Sequence, residues 1–160
     1  MLGLAFLIGS DQFITMSFAQ VLQIPVQRPI FMREVANRMY TTTAYYLASC
    51  AAATVTFFLY PMMTALVSFF FFDLDDSSFS AFLIWMSILV LTAFTGSFWG
   101  QMFGTFMKNE VAAVQLNMLF LILFSFGGGF YANTGEGQNP FVRIISLISP
   151  MRYSAELLMR

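Results

Sequence analysis

The segment 81–104, which reads AFLIWMSILVLTAFTGSFWGQMFG, contains no charged residue and decides the fold. It lies within an uncharged run of 31 residues, Ser77–Met107, and two similar runs, Ala44–Phe72 and Val111–Gly135, hold 29 and 25 residues. A helix needs about 20 mostly apolar residues to cross a membrane, because the hydrocarbon core is about 30 Å thick and each residue adds about 1.5 Å. Each run is therefore predicted to be a membrane-spanning helix.

The composition of the chain indicates an integral, multi-pass membrane protein. Hydrophobic residues make up 59% of the 160 positions and charged residues 9%, whereas roughly 25% of residues are charged in soluble domains. We expect an all-α, polytopic transmembrane helical bundle. The predicted spans are 1–24, 44–72, 79–105 and 111–131. We interpret the first, which contains Asp11, as a span that is entered partway along its length.

Residue types that the sequence lacks exclude several classes of function. The chain has no histidine and one cysteine, Cys50, so the usual zinc sites and the Ser-His-Asp and Cys-His nucleophile systems lack their essential groups. It has no G-x-x-x-x-G-K-[ST] segment to hold nucleotide phosphates. A net charge of −1 leaves no basic patch for nucleic acid. We predict no catalytic residue, no metal site and no nucleic-acid partner for this chain.

The sign of the charges between the spans predicts the orientation. The segment 26–43 carries three arginines against one glutamate, whereas the turn Asp73–Asp76 after the next span has no basic residue. Cytoplasmic loops are enriched in Lys and Arg, so the first segment is predicted to lie inside and the acidic turn outside. Lys108 then falls at the next inner turn.

Two prolines predict where the first span ends. Pro25 and Pro29 are expected to close it, because proline disfavours a helical conformation for the preceding residue and suits the start of a helix. Beyond them, the segment 29–40 is predicted to be a short amphipathic helix in which Glu34 and Arg38 form an i,i+4 pair. Such a helix can lie in the inner membrane interface or dock on a cytoplasmic partner.

Three glycines recur every four residues in the third span. Gly96, Gly100 and Gly104 therefore lie on one helix face, where a second backbone could approach closely. Glycine is also frequent in membrane helices in general. The pattern leaves open a specific helix-helix seam and a merely tolerated set of glycines.

The segment 138–160 is predicted to be an outer re-entrant region. It is apolar between Pro140 and Pro150, but this stretch is too short to cross a bilayer. Glycines at 127–129, 135 and 137 precede it and are expected to end the fourth helix, because glycine is the poorest helix former after proline.

Two motifs resemble those of one transporter family. The segment 25–34, PVQRPIFMRE, followed by YYL at 45–47, resembles the inner loop of G-type (white-like) ATP-binding cassette transporters, with its F-x-R-E and Y-x-L elements. The segment 149–157, SPMRYSAEL, resembles the S-P-x-R-Y-x-x-E-x-L segment beyond the family's fifth membrane helix. Gln27 departs from the usual glutamate before Arg28, and tryptophan is common at the position of Ile144.

The resemblance implies a fold and a set of partners. The chain would be a fragment, a membrane domain of the ABC-2 type without its first and last helices and without the nucleotide-binding domain. It would pair with a second transporter half, as a homodimer or heterodimer, and with a nucleotide-binding domain that holds ATP and Mg. The segment 29–40 would resemble the connecting helix that transmits ATPase closure. The residues that would couple it to the nucleotide-binding domain are Arg28, Arg33, Glu34 and Arg38.

The resemblance also implies a substrate cavity between the family's second and fifth membrane helices. Carried over by position, its lining residues are Ile8, Asp11, Gln12, Thr15, Gln115, Met118, Ile122 and Ser125. A mostly apolar wall with a few polar groups suits lipid-like or amphipathic molecules. Two structural alternatives stay open, that Asp11 is a proton-neutralised structural acid and that Gln115 bonds to a neighbouring helix.

We therefore predict the membrane half of an ATP-driven exporter of lipid-like or amphipathic small molecules, in the plasma membrane or an endomembrane and surrounded by membrane lipids. Two other functions remain open. One is an ion-coupled secondary transporter or channel that uses Asp11. The other is a noncatalytic membrane scaffold.

Overall fold

The computed structural model describes residues 2–71, 79–128 and 140–158, and all regular structure within these ranges is helical. In chain order the helices are α1 (Leu2–Ala36), α2 (Thr42–Phe71), α3 (Phe79–Phe106), α4 (Glu110–Gly127), α5 (Pro140–Ile148) and α6 (Pro150–Leu158). The predicted all-α helical bundle is confirmed. The predicted acidic turn Asp73–Asp76 and the glycines from 129 onward lie outside the described residues.

Three helices of the described ranges are long and apolar enough to cross a membrane, namely α2 over Thr42–Phe70, α3 and α4. They overlap the last three predicted spans. The first predicted span, 1–24, lies in α1, which is not one of the three, and it stays a prediction. α1 instead occupies the centre of the bundle, in contact with α2, α3, α4 and α6. Its polar side chains Gln12, Ser17 and Gln20 are buried there.

α1 continues through Pro25 and Pro29, so the helix boundary that we predicted at these residues is wrong. Each proline lacks the N–H that would bond to the carbonyl oxygen four residues earlier. The carbonyl oxygens of Val21 and Pro25 each lose one hydrogen bond within the helix. Pro25 is buried, so neighbouring structure packs around it, whereas Pro29 is exposed near the end of α1. The segment 29–40 therefore begins as the last two turns of α1 and not as a separate helix.

α1 ends at Ala36 in a turn that contains no Glu34–Arg38 ion pair. Arg38 follows the end of the helix and has a φ of 55°, in the left-handed region. It therefore does not lie one helical turn above Glu34. Glu34 accepts a hydrogen bond from the hydroxyl of Tyr40 instead. The predicted i,i+4 pair is wrong for this reason.

The glycines of α3 form a close seam with α1. A Cβ atom added to Gly96 would lie 2.5 Å from the carbonyl oxygen of Phe13, and one added to Gly100 would overlap the carbonyl oxygen of Ser17. Gly104 continues the seam one turn further along both helices. The order of these contacts means that α1 and α3 run parallel. The glycine pattern is thus a specific helix-helix seam, as packing through small residues allows.

α4 packs on α1 in the opposite direction. The rings of Phe13 and Phe124 meet edge to face with centroids 6.2 Å apart, and further along α1 the Ser17 hydroxyl donates to Oδ1 of Asn117 at 2.8 Å. Trp99 of α3 contacts the same Phe124 ring at a centroid distance of 4.9 Å. These buried contacts join α1, α3 and α4 into one core.

Ser149, between α5 and α6, and the residues that follow it connect the two short helices to the bundle. The Ser149 hydroxyl donates to the carbonyl oxygen of Phe124 in α4 at 2.9 Å. Arg152 and Glu156 form an ion pair of 2.7 Å along α6. The Tyr153 hydroxyl donates at 2.8 Å to the carbonyl of Leu147, in α5. The Ser and Tyr of the second sequence motif therefore tie these two helices to α4 and to each other, and its Arg and Glu pair along α6.

Candidate functional site

The α1 residues predicted to line the substrate cavity lie toward α2 and the interior. Ile8 packs on an apolar cluster that includes Ala65 of α2 and Leu89 of α3. Gln12 is 0% exposed, and both polar atoms of its amide lack a hydrogen-bond partner. Thr15 is half-buried. Burial removes Gln12 from the accessible surface of the chain.

Asp11 is exposed on α1 and is anchored to α2. The Tyr60 hydroxyl donates to Oδ2 of Asp11 at 3.0 Å. On the other carboxylate oxygen, the Thr15 hydroxyl lies 3.5 Å from Oδ1. The acid that we predicted inside the first span therefore stands at the surface between α1 and α2, with two hydroxyl partners.

The α4 residues of the predicted cavity lie on an exposed face. Met118 and Ile122 are 52% and 54% exposed, and Gln115 is exposed on the same face. Ser125 is half-buried and donates to the sulfur of Met151 in α6 at 3.6 Å. Contact between α1 and α4 runs through the aromatic pair and the Ser–Asn hydrogen bond described above. The two predicted walls are therefore not brought together within one chain.

The four predicted coupling residues lie at or beyond the C-terminal part of α1, which we call the arginine-rich end of the bundle. Arg33 and Arg38 are exposed, whereas Glu34 is half-buried. The hydrogen bond from Tyr40 to Glu34 raises the pKa of the Tyr40 phenol to about 12. Arg28 is half-buried and is turned back toward the end of α3, where it donates to a backbone carbonyl at 3.4 Å. Arg28 thus differs from the other three in its surroundings.

A cavity of about 350 Å³ opens at this arginine-rich end, between α1, α2 and α3, and we call it the inner cavity. We did not predict this cavity from the sequence. Its polar lining residues include Gln20, Gln23, Gln27, Ser49, Gln101 and Thr105. One sequence pattern in α1 could have indicated the cavity, because the glutamines at 20, 23 and 27 share one helix face. The residues from α2 and α3 depend on how the helices pack, which no local pattern specifies.

Hydrogen bonds between helices fix the wall of the inner cavity. The Tyr45 hydroxyl donates to Oε1 of Gln27 at 3.1 Å, and Nε2 of Gln101 donates to Oε1 of Gln20 at 3.3 Å. Among the described lining residues, Arg28 is charged and none is acidic. Such a wall offers amide N–H donors and one guanidinium to a polar or anionic group.

The described residues contain no group of three or more His, Cys, Asp and Glu side chains that could hold a metal ion. The sequence also has no P-loop, so ATP and Mg have no phosphate cradle of that kind in this chain. What the chain itself supplies is a set of apolar helices, an exposed face on α4 and a charged end on α1.

Comparison with protein families gives a match over residues 1–160 to the pattern described as ABC-2 type transporter. Comparison with individually curated proteins gives no match. A membrane domain of this family resides in lipid and works with a nucleotide-binding domain, and the three long apolar helices of the described ranges agree with a location in lipid. Because the match covers every residue, this chain belongs to the ABC-2 type transporter family and is a membrane component of an ATP-binding cassette transporter.

Proposed function

We propose that this chain is the membrane half of a G-type ATP-driven exporter of lipid-like or amphipathic small molecules. Membership of the ABC-2 family supports the partnership with a nucleotide-binding domain. The F-x-R-E element in 25–34 and the S-P-x-R-Y element in 149–157 support the G-type subfamily. The observation that carries the proposal is the continuity of α1 from the buried centre of the bundle to its charged end.

α1 acts as a lever in this proposal. Its 35 residues form one rod of about 50 Å, at about 1.5 Å per residue, without a break at either proline. A nucleotide-binding domain that moves Arg33 and Glu34 would therefore also move the turns of α1 that contain Asp11 and Gln12. A separate helix over 29–40 would have needed its own contacts to transmit the same displacement.

The exposed face of α4 is the proposed substrate surface, completed by a second transporter half. Gln115, Met118 and Ile122 present a polar amide beside two large apolar side chains. Methionine adapts to ligands of different shape, which suits a site for varied amphipathic molecules. Because this face is open in one chain, a second membrane half could cover it and enclose a cavity between the two.

The test is a coupling measurement on the complete transporter, with its nucleotide-binding domains, in proteoliposomes. Arg33→Ala or Glu34→Ala should lower the amount of substrate exported per ATP hydrolysed, with substrate binding unchanged. Glu110→Ala is the matched control, because Glu110 is an exposed acid in the first turn of α4 and lies outside the lever. Full coupling in both lever variants would refute the role of this segment.

The same preparation separates this proposal from ion-coupled transport through Asp11. The exporter requires ATP and is indifferent to an imposed proton or sodium gradient. Transport that runs on such a gradient without ATP, and that is lost in Asp11→Asn, would replace the proposed function by the ion-coupled one.

A further inference from the structure

We propose that the inner cavity binds the anionic headgroup of a phospholipid from the cytoplasmic leaflet, with the phosphate held by Arg28. The proposal does not depend on which substrate the transporter exports. It rests on where the cavity opens, on its charge, on its hydrogen-bond donors and on its size.

The position of the cavity matches the headgroup level of one leaflet. It lies at the end of the bundle that carries three arginines after the first predicted span, which the positive-inside bias places in the cytoplasm. Tyr45 and Tyr46 line it at the start of α2. Tyrosine is enriched at membrane-water interfaces, where one part of the ring is apolar and the hydroxyl is wet. The cytoplasmic leaflet is also the one that carries anionic lipids in most cells.

The charge of the lining favours an anion. Arg28 is half-buried and uses one hydrogen bond, to the carbonyl oxygen of Met107 at 3.4 Å, out of the five N–H donors of a guanidinium. No acidic side chain occurs among the described residues that line the cavity. A guanidinium can bind a phosphate through two parallel N–H donors, which makes arginine a frequent phosphate ligand.

The amides of the wall supply further donors. Gln27 and Gln20 line the cavity and use their carbonyl oxygens to accept from Tyr45 and Gln101, so these two bonds leave the NH₂ donors of each amide unused. A phosphate diester and the polar group attached to it accept several hydrogen bonds. The donors of the wall and the acceptors of such a headgroup are therefore complementary.

The size and the mouth of the cavity fit a headgroup whose acyl chains stay in the membrane. A volume of about 350 Å³ is at the small end of the range of ligand sites, roughly 300–1,000 Å³, and leaves no room for two acyl chains. Met32 and Tyr46 line the cavity and are 61% and 55% exposed, so the cavity opens to the outside of the bundle between α1 and α2. Acyl chains can leave through this opening.

Native mass spectrometry of the complete transporter, released from mixed phosphatidylglycerol and phosphatidylcholine membranes, tests the preference directly. The wild type should retain phosphatidylglycerol in preference to phosphatidylcholine. Arg28→Gln should lower that preference by more than about fivefold, since one basic residue near the membrane surface contributes about that factor even without binding a phosphate directly. Arg28→Lys should keep most of it. Lys108→Gln removes an exposed charge outside the described lining and should lower the preference by about fivefold at most.

The cysteine of the chain gives a second, local readout, because Cys50 lines the cavity. Alkylation of Cys50 by N-ethylmaleimide, followed on its own peptide by mass spectrometry, should slow when phosphatidylglycerol is added to protein in phosphatidylcholine nanodiscs. The slowing should vanish in Arg28→Gln. Inorganic phosphate alone should give no protection, since it lacks the membrane anchor that concentrates a lipid at the mouth.

The outcomes separate the alternatives. Equal protection by phosphatidylglycerol and phosphatidylcholine would show a site without preference for an anion and would overturn the proposal. Protection by inorganic phosphate at the same concentration would replace the lipid by a soluble anion. A loss of preference in Lys108→Gln as large as in Arg28→Gln would assign the effect to surface charge. None of these readouts measures export. Failure of the lipid proposal can therefore be distinguished from failure of the proposed function.

Discussion

Gly100 of α3 lies so close to the carbonyl oxygen of Ser17 in α1 that no side chain fits between the two helices. The same Ser17 donates its hydroxyl to Asn117 of α4 at 2.8 Å. One turn of α1 is therefore held by backbone contact on one side and by a buried hydrogen bond on another. This turn fixes the part of the proposed lever that lies inside the bundle.

A side chain at position 100 should separate α1 from α3. We expect Gly100→Val to destabilise the protein by about 3 kcal/mol or more, because the added atoms meet backbone that cannot move away without repacking the bundle. Thermal unfolding in detergent measures the loss. Ser87→Val, on an exposed part of the same helix, is the control and should leave the melting temperature nearly unchanged. A wild-type melting temperature for Gly100→Val would contradict the seam.

Ser17 and Asn117 should be energetically coupled. In a double-mutant cycle with Ser17→Ala and Asn117→Ala, we expect a coupling energy of about 0.6 kcal/mol, with about 1.7 kcal/mol as the upper limit for such bonds in membrane proteins. Unfolding of the four proteins in the same micelle supplies the values. Strictly additive effects would mean that the two side chains do not bond in the folded protein.

Ionisation of the Tyr40 phenol, in the turn after α1, should depend on Glu34. Tyr40 has a pKa raised from 10.0 to about 12 by its hydrogen bond to Glu34, so this bond contributes to stability below pH 10 and is lost as the pH rises through about 12. At pH 11 about one tenth of the Tyr40 phenol is ionised, and in Glu34→Gln we expect a larger fraction to be ionised, because the largest cause of the raised pKa is removed while burial and Tyr45 remain. Phenolate absorbance at that pH should therefore rise in the variant, by less than one tyrosine.

The control for this measurement is Tyr40→Phe with and without Glu34→Gln. The glutamate substitution should leave phenolate absorbance unchanged in that background, since the responding phenol is gone. An increase of the same size there would assign the effect to another tyrosine.

Gln12 should be replaceable by an apolar residue at no cost. Its side chain is 0% exposed and neither polar atom of its amide has a hydrogen-bond partner, so Gln12→Leu should stabilise the protein by about 1–3 kcal/mol. Unfolding in detergent checks this, and a substrate-binding assay on the complete transporter runs beside it. A lower stability of Gln12→Leu would show that the amide is partnered. Loss of substrate binding at unchanged stability would show that Gln12 contributes to the substrate site.

The sequence predicted best where one physical requirement dominates. Long uncharged runs have to be buried in lipid or protein, so α2, α3 and α4 could be predicted from length and composition. The glycines of α3 could be placed on one face by their period, and Gly96 and Gly100 do meet α1. The apolar stretch between Pro140 and Pro150 was predicted to be too short to cross, and α5, which lies in it, has nine residues.

The predictions that failed depended on packing. Pro25 and Pro29 were expected to end the helix, because each removes one backbone hydrogen bond, but α1 continues through the buried Pro25 and through the exposed Pro29. The spacing of Ile8, Gln12 and Thr15 identified a shared helix face, and only the packing shows that this face lies toward α2 and the interior. The inner cavity is formed where three helices meet, and the pattern of residues along one helix does not show how it packs against the other two.

The proposed lever requires that the arginine-rich end of α1 lie in the cytoplasm, within reach of a nucleotide-binding domain. The direct measurement places a cysteine at this end, as Arg33→Cys in a Cys50→Ala background, and applies a membrane-impermeant maleimide to cells. Labelling of the peptide around position 33 is expected only after the membrane is permeabilised, because Arg33 is exposed and the proposed orientation puts it on the inner side. Ready labelling in intact cells would contradict this orientation and the proposed lever.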